Sequence, residues 1–474
     1  MRLSPRLGIP RPWLATAGPS GMLTAVLGGG LGCGPTVSLD DPSPVTANPT
    51  TSPDSFGPTS GQDGSDGASE GLDEGTRLDL APLKLDVAPD VPLPPGVCPP
   101  DCQFELNLAW TYDGFDPSAL LDPEDQVIVQ VERDDHVVVA EERQGAITLA
   151  RLDVGGQELW TLPLSLPCEP CRLVDLRLHP SGDLLLSVRG VDGMGSPVTV
   201  AARVELGAPT LLWSSAIALA NGAGVAPRTG TLLAHDESLL LQPAIEGSMT
   251  PGLEQLELLA YDAATGDSTA TTPIAVSTAT GDAPIPRAVY DADGLLVLTH
   301  PAWSDDGGLS GEVRWLSAPD GDAVATSTRV EPPLRLAADS GGRVVTLGQT
   351  IGADQSLLRL GSGHAGDPEQ WTLTYAVDTV TSSLPDLRVD SYGDAHVVIR
   401  TAQGMPGRES DVELLVLRWS DEGTLVWKLA LPLPFDRVDE PISLQLTTGE
   451  DLVLGGFMTG VRHVERRVPN CDCG

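Results

Sequence analysis

The residues of this chain best suited to chemistry are its seven cysteines, which fall into four groups: Cys33, Cys98 with Cys102, Cys168 with Cys171, and Cys471 with Cys473. A thiol can carry a lipid, close a disulfide or bind zinc. Cys168-Glu169-Pro170-Cys171 has the spacing of a redox dithiol, but a reactive thiolate needs a setting such as a helix N-terminus to lower its pKa, and nothing nearby reads as helical. A local structural disulfide is the expectation, with zinc shared between this pair and Cys98 and Cys102 as the rival. The histidines (His136, His179, His235, His300, His364, His396 and His463) are dispersed without HExxH spacing, and His136 and His396 sit at turn-to-strand junctions where a structural role is the default. No nucleophile elbow, phosphate-binding glycine loop or dinucleotide fingerprint is present. Asp291-Ala292-Asp293-Gly294 offers oxygen ligands, yet an Asp-Gly hairpin accounts for it without a metal. No catalytic residue and no metal ligand is assigned, and calcium is the one cofactor kept open.

The charge balance narrows the partners. With 28 Lys+Arg against 66 Asp+Glu, the 474-residue chain carries a formal charge of -38. Such a particle stays soluble and repels polyphosphate, so nucleic acid is excluded as a partner. Abundant glycine (52) and proline (42) suit many turns and short strands more than helices.

Arg2, Arg6 and Arg11 precede a weakly apolar run from Leu14 to Gly32, and no acidic residue occurs before Asp40. This is the layout of a secretory signal over residues 1–32. Its apolar centre, Met22 to Leu31, is too short to cross a bilayer. Gly30-Leu31-Gly32-Cys33 resembles the lipobox of bacterial lipoproteins. The resemblance implies cleavage before Cys33 and acylation of its thiol, a lasting anchor because several chains exceed the reversible binding of one. Removing Cys33 leaves six cysteines, an even number suited to an oxidising compartment. In that family an aspartate after the cysteine marks inner-membrane retention; Gly34 here implies the outer membrane, on its periplasmic face or at the cell surface.

Residues 33–97 are Pro, Ser, Thr, Gly and Asp with few large apolar side chains. They cannot bury enough surface to offset the entropy of ordering and are expected to form a disordered tether with a mean reach on the order of 45 Å.

The elements that must position the remaining cysteines come from a repeat. A turn running into an apolar strand recurs as Asp134-Asp135-His136-Val137, Ser181-Gly182-Asp183-Leu184, Asp236-Glu237-Ser238-Leu239, Asp293-Gly294-Leu295, Ser340-Gly341-Gly342-Arg343-Val344, Gly393-Asp394-Ala395-His396-Val397 and Gly449-Glu450-Asp451-Leu452. A period of about fifty residues predicts a β-propeller of four-stranded blades. The expectation is an all-β, seven-bladed propeller over residues 98–474. The C-terminal blade lacks an outer strand, and Glu105-Leu106-Asn107-Leu108-Ala109-Trp110 matches Glu158-Leu159-Trp160, so residues 104–112 are expected to complete it. The end of the strand 461–468 must then meet the start of 104–112. Cys98 and Cys102 precede this seam and Cys471 and Cys473 follow it, so cross-linked termini are expected, with the pairing open. Closing so long a loop stabilises by roughly 5 kcal/mol in the chain-entropy view. Trp110, Trp160, Trp213, Trp371 and Trp427 recur on the outer strands and are read as packing between blades.

The repeat with these tryptophans is similar to the propeller repeats of the quinoprotein-like class. Propellers host enzymes and binding modules alike. The absence of a catalytic motif favours a tethered, non-enzymatic binding or scaffold module that holds a protein or carbohydrate ligand at one mouth of the ring. A periplasmic enzyme of quinoprotein or lyase type is the alternative, and it requires Arg, His and carboxylates converging on the axis, where the sequence shows mainly apolar residues with scattered Asp and Arg. A third rival is a scaffold like the lipid-anchored propeller of outer-membrane assembly.

Overall fold

The computed structural model describes residues 103–114 and, between 125 and 472, all but short stretches, the longest being 219–227, 276–286 and 433–441. Over 217–286 it describes strand pairing and few side chains. The expected signal (1–32), the tether (33–97), and Cys33, Cys98, Cys102 and Cys473 lie outside the described residues.

All the regular elements described are β-strands. Six of the seven repeat turns each have one residue in the left-handed region, supplied by Asp135 (φ 63°), Gly182, Gly294, Gly342, Gly393 and Glu450 (φ 67°), while residues 237 and 238 of the turn after Asp236 lie outside the described residues. The apolar strand that follows is sealed on both faces: Val137, Val138, Val139 and Ala140 have no exposed surface. A third and a fourth strand follow by hairpins, and the fourth alternates toward solvent, as in Glu158–Leu164.

Strand pairing gathers these hairpins into seven sheets. At the chain ends, Ser443–Leu446, Leu452–Met458 and Val461–Asp472 are completed by Gln103–Gly114 from the other terminus. This strand covers the expected 104–112, and it pairs antiparallel with Gln103 opposite Asp472 and Trp110 opposite Arg466.

The expectation of a seven-bladed propeller is corrected to six blades. Six sheets form regular blades, each with an innermost strand paired over at least four consecutive positions and with described side-chain packing: those beginning at Gln126, Cys171, Arg287, Arg335, Asp386 and Ser443. The sheet over 228–275, whose sequence carries the repeat turn Asp236-Glu237-Ser238-Leu239, departs from this pattern. Its innermost place is divided between Arg228–Thr229 and Leu233–Asp236, as the Asp386 blade's is between Thr381–Ser382 and Asp386–Val389, but here neither piece pairs over four consecutive positions. The break falls opposite Gln242 and Pro243 of the next strand.

Blades are joined by apolar contact and by buried ion pairs. Val127 and Val129 of the first innermost strand pack with Val453 and Phe457 of the last blade. Arg172, opening the second blade, donates to Glu142 of the first at 2.6 Å. The outer-strand tryptophans reach the next blade's hairpin: a methyl group on Gly156 would meet Trp110 at 2.6 Å, and one on Gly266 would meet Trp213 at 2.6 Å. Trp427 instead stacks on Phe104, centroids 4.5 Å apart.

Candidate functional site

The innermost strands bring their first residues together around one cavity of about 180 Å³. Its walls carry Arg177, Arg287, Arg335 and Arg388, with Asp175 and Asp386, and Gln126 and Ser443 at the side of the first and last blades. Arg287, Arg335, Asp386, Ser443 and Gln126 each open an innermost strand. In Cys171–Leu178 the bulge between Leu173 and Asp175 starts a fresh register at Asp175, which gives Asp175 and Arg177 the equivalent places. Strand alternation then puts Asp175 with Arg177, and Asp386 with Arg388, on one face.

The carboxylates in this cavity are engaged. Asp175 Oδ2 accepts from Arg177 Nε at 3.1 Å, and its Oδ1 accepts the Leu176 amide at 3.0 Å. Asp386 Oδ1 accepts from Arg335 Nε at 3.1 Å and stands 3.6 Å from Arg388 NH1, while its Oδ2 accepts the Leu444 amide at 2.8 Å. Burial alone would raise the Asp386 carboxyl, but Arg388, Arg335 and the amides of Leu444 and Leu387 outweigh it and hold it below its ordinary value. Arg287 differs. Its Nε is buried without a hydrogen-bond partner, and among the described residues its guanidinium makes no ion pair. Burial, followed by the nearby charge of Arg335, pushes Arg287 down to about 10, which leaves it protonated at neutral pH. Burial likewise lowers Arg388, whose Nε is also buried and unpartnered.

The cavity therefore holds four guanidiniums and two carboxylates inside a chain of net charge -38. The arrangement can receive an anionic group by charge-assisted hydrogen bonds. Sequence reasoning saw only scattered Asp and Arg. A usable signal was present: Arg177, Arg287, Arg335 and Arg388 stand 7, 8, 9 and 9 residues before Leu184, Leu295, Val344 and Val397, the first apolar residues of their repeat strands.

The residues singled out from sequence lie elsewhere. Cys168 and Cys171 form a disulfide between the first two blades, which is the structural bridge expected. Cys471, opposite Phe104 at the seam, is also disulfide-bonded. Asp291 Oδ1 accepts the amides of Asp293 and Leu295, the arrangement of a hairpin turn. Among the described residues, no group of three or more His, Cys, Asp and Glu side chains is placed to hold a metal ion. His136 pairs with Asp134 at 2.6 Å, and His396, fully buried, pairs with Asp390 at 2.9 Å. A second repeated feature was missed. A third-strand arginine grips an acid in the repeat turn of its own blade, as in Arg151 with Glu132, Arg203 with Asp183, Arg418 with Asp394 and Arg466 with Asp451.

No family model matches the chain, and no curated protein matches it. Solved structures similar to it include virginiamycin B lyase from Staphylococcus aureus (9% identity, 77% of this chain and 99% of that chain, TM-score 0.42). Others are a quinonprotein alcohol dehydrogenase-like protein from Bacteroides thetaiotaomicron (10%, 66% and 67%, 0.40) and Drosophila Plexin A in complex with Semaphorin 1b (9%, 77% and 87%, 0.41). Their kinds differ, and likenesses this distant carry no argument about activity.

Proposed function

We propose that the chain is an exported, lipid-anchored β-propeller that acts as a binding module at the cell envelope and takes its ligand in the axial cavity. The observation that carries this reading is the convergence on one cavity of side chains from six innermost strands, with Arg287 left unpaired among them. Arg287 is partly buried and its Nε has no acceptor, so the oxygens of a bound group would supply partners that the described residues do not. Export and anchoring rest on the lipobox-like Gly30-Leu31-Gly32-Cys33 and on a disulfide-bonded Cys168–Cys171 pair, which suits an oxidising compartment.

The enzyme alternative asked for Arg, carboxylates and His at the axis. Arg and Asp meet there, whereas His136, His179, His364, His396 and His463 do not line the cavity. With both aspartates already held by arginine, the described lining suits binding more than acid–base chemistry.

Two measurements test the reading. In cell fractionation, wild-type protein is expected with outer membranes and Cys33→Ser protein in the soluble fraction; a variant that stays with membranes would remove the anchor. Purified full-length protein is then equilibrated with a mixture of small metabolites and washed. A compound released on denaturation at unchanged mass is expected, and recovery of a chemically altered product, or of nothing, counts against a binding module.

A further inference from the structure

We infer that the axial cavity is a site for a small oxyanion, with Arg287 as the residue that grips it. This rests on the reading of the cavity as the ligand site and assigns the ligand its chemical class.

The charge distribution leads there. Among the described lining residues, four arginines face the cavity with two aspartates, a local excess of two positive charges in an otherwise strongly acidic protein. Asp175 is held by Arg177, and Asp386 by Arg335 with Arg388 at 3.6 Å. Among the described residues no carboxylate lies within ion-pair distance of Arg287, although Asp175 and Asp386 attract it, and its buried Nε has no acceptor. Arg388 NH1 turns back to the carbonyl of its own neighbour Leu387 at 2.7 Å, and its Nε too is without an acceptor. Two guanidiniums with unused buried donors, set among paired ones, describe a site short of acceptor oxygens.

Acceptor oxygens bearing negative charge are what carboxylates, sulfate and phosphate supply, and the planar fork of arginine matches them. Size narrows the class further. The cavity has room on the order of a dozen waters, enough for sulfate, phosphate or a short dicarboxylate and too little for a nucleotide. The local excess of two charges favours a dianion. An acidic surface would slow its approach and leave retention to the cavity itself.

The test uses full-length protein and three probes, sodium sulfate, sodium phosphate and sodium succinate, each against sodium chloride at matched ionic strength. Thermal unfolding and calorimetric titration are the readouts. At least one probe is expected to raise the midpoint in a saturable way, and the three arms tell the sources of the oxyanion apart. Arg287→Met is expected to weaken that probe by roughly tenfold or more, with a ligand-free midpoint no lower than wild type, because the charge removed has no ion-pair partner among the described residues and its Nε no acceptor. A merely structural arginine would give the opposite change in the ligand-free protein. Arg287→Lys is expected to restore part of the effect, since it keeps the charge and loses the fork. The inference is overturned if no probe exceeds chloride, or if Arg287→Met responds as wild type does. If the probes fail while the metabolite experiment returns an uncharged compound intact, the oxyanion assignment falls and the binding reading stands.

Discussion

Trp371 and Gly423 meet across a blade boundary: a methyl group on Gly423 would lie 3.1 Å from the Trp371 indole, whose Nε1 donates to the Asp421 carbonyl at 2.8 Å. Trp110 repeats the arrangement with Gly156 and the Val154 carbonyl at 3.0 Å. Each tryptophan thus caps a hairpin of the next blade two residues from the glycine that makes room for it. The glycine is required twice over, for its positive φ and for its missing side chain.

Substitution at that contact should separate these two requirements. Gly156→Ala forces an L-residue to φ 79° and drives a methyl into Trp110, whereas Gly182→Ala at φ 92° meets nothing within 4 Å. The backbone cost is about 1 to 2 kcal/mol in both, and the clash adds about 1 to 3 kcal/mol in the first alone. Denaturant titration is expected to rank Gly156→Ala as the more destabilising by that margin. Equal losses would mean that the tryptophan contributes no packing constraint.

The seam should be sensitive to pH. His463 Nδ1 lies 2.6 Å from Asp113 on the strand supplied by the other terminus, and its Nε2 lies 3.6 Å from Glu465. Burial disfavours the charged ring, but hydrogen bonds to Glu465 and Asp113 outweigh it and raise the His463 pKa above 6.5. A raised histidine pKa stabilises the fold fully below the unfolded value, and the gain is lost as pH rises through the folded one. Glu465 runs the other way. Burial is outweighed by His463 and Arg467, its pKa is lowered, and its contribution fades as pH falls through that lowered value. The difference in melting temperature between wild type and His463→Gln is expected to be largest between about pH 5 and 6.5 and to shrink above the folded pKa. A difference constant across that range would show that the seam does not use this proton.

Arg335 and Asp386 form a buried pair at the axis, 17% and 9% exposed. Removing Asp386 by Asp386→Leu strands Arg335 and Arg388 together and is expected to cost about 3 kcal/mol or more. The double change Arg335→Leu with Asp386→Leu should recover part of that loss, since Arg335 is no longer stranded while Arg388 still is. A double variant as unstable as Asp386→Leu alone would place the cost in packing and not in the uncompensated charge.

Native, oxidised protein is expected to show no reactive thiol on labelling, and three or more would end the disulfide scheme. The bridges should differ in weight. Cys168 and Cys171 close a small loop worth about 2 kcal/mol in the chain-entropy model. Cys471→Ser is expected to cost more, toward about 5 kcal/mol, if its partner lies at the far terminus. A smaller loss for Cys471→Ser than for the paired Cys168→Ser and Cys171→Ser change would argue for a partner close in sequence.

The repeat turn, the sealed strand after it and the outer tryptophans were legible in the residues because each is a local matter. A left-handed position beside Asp134 or Ser181, then alternation or a run of Val and Leu, sets a hairpin whatever surrounds it. The strand completing the last blade was legible too, since Glu105–Trp110 copies Glu158–Trp160 in type. Tertiary structure alone decided which cations meet. Arg177, Arg287, Arg335 and Arg388 lie on short strands in different blades, more than two hundred residues apart at the extremes. Only closure of the ring brings them within reach of two aspartates and leaves one guanidinium over. Tertiary structure also decided that the sheet over 228–275 departs from the regular blades. How far an innermost strand pairs depends on the neighbour laid beside it, which no local run of residues states.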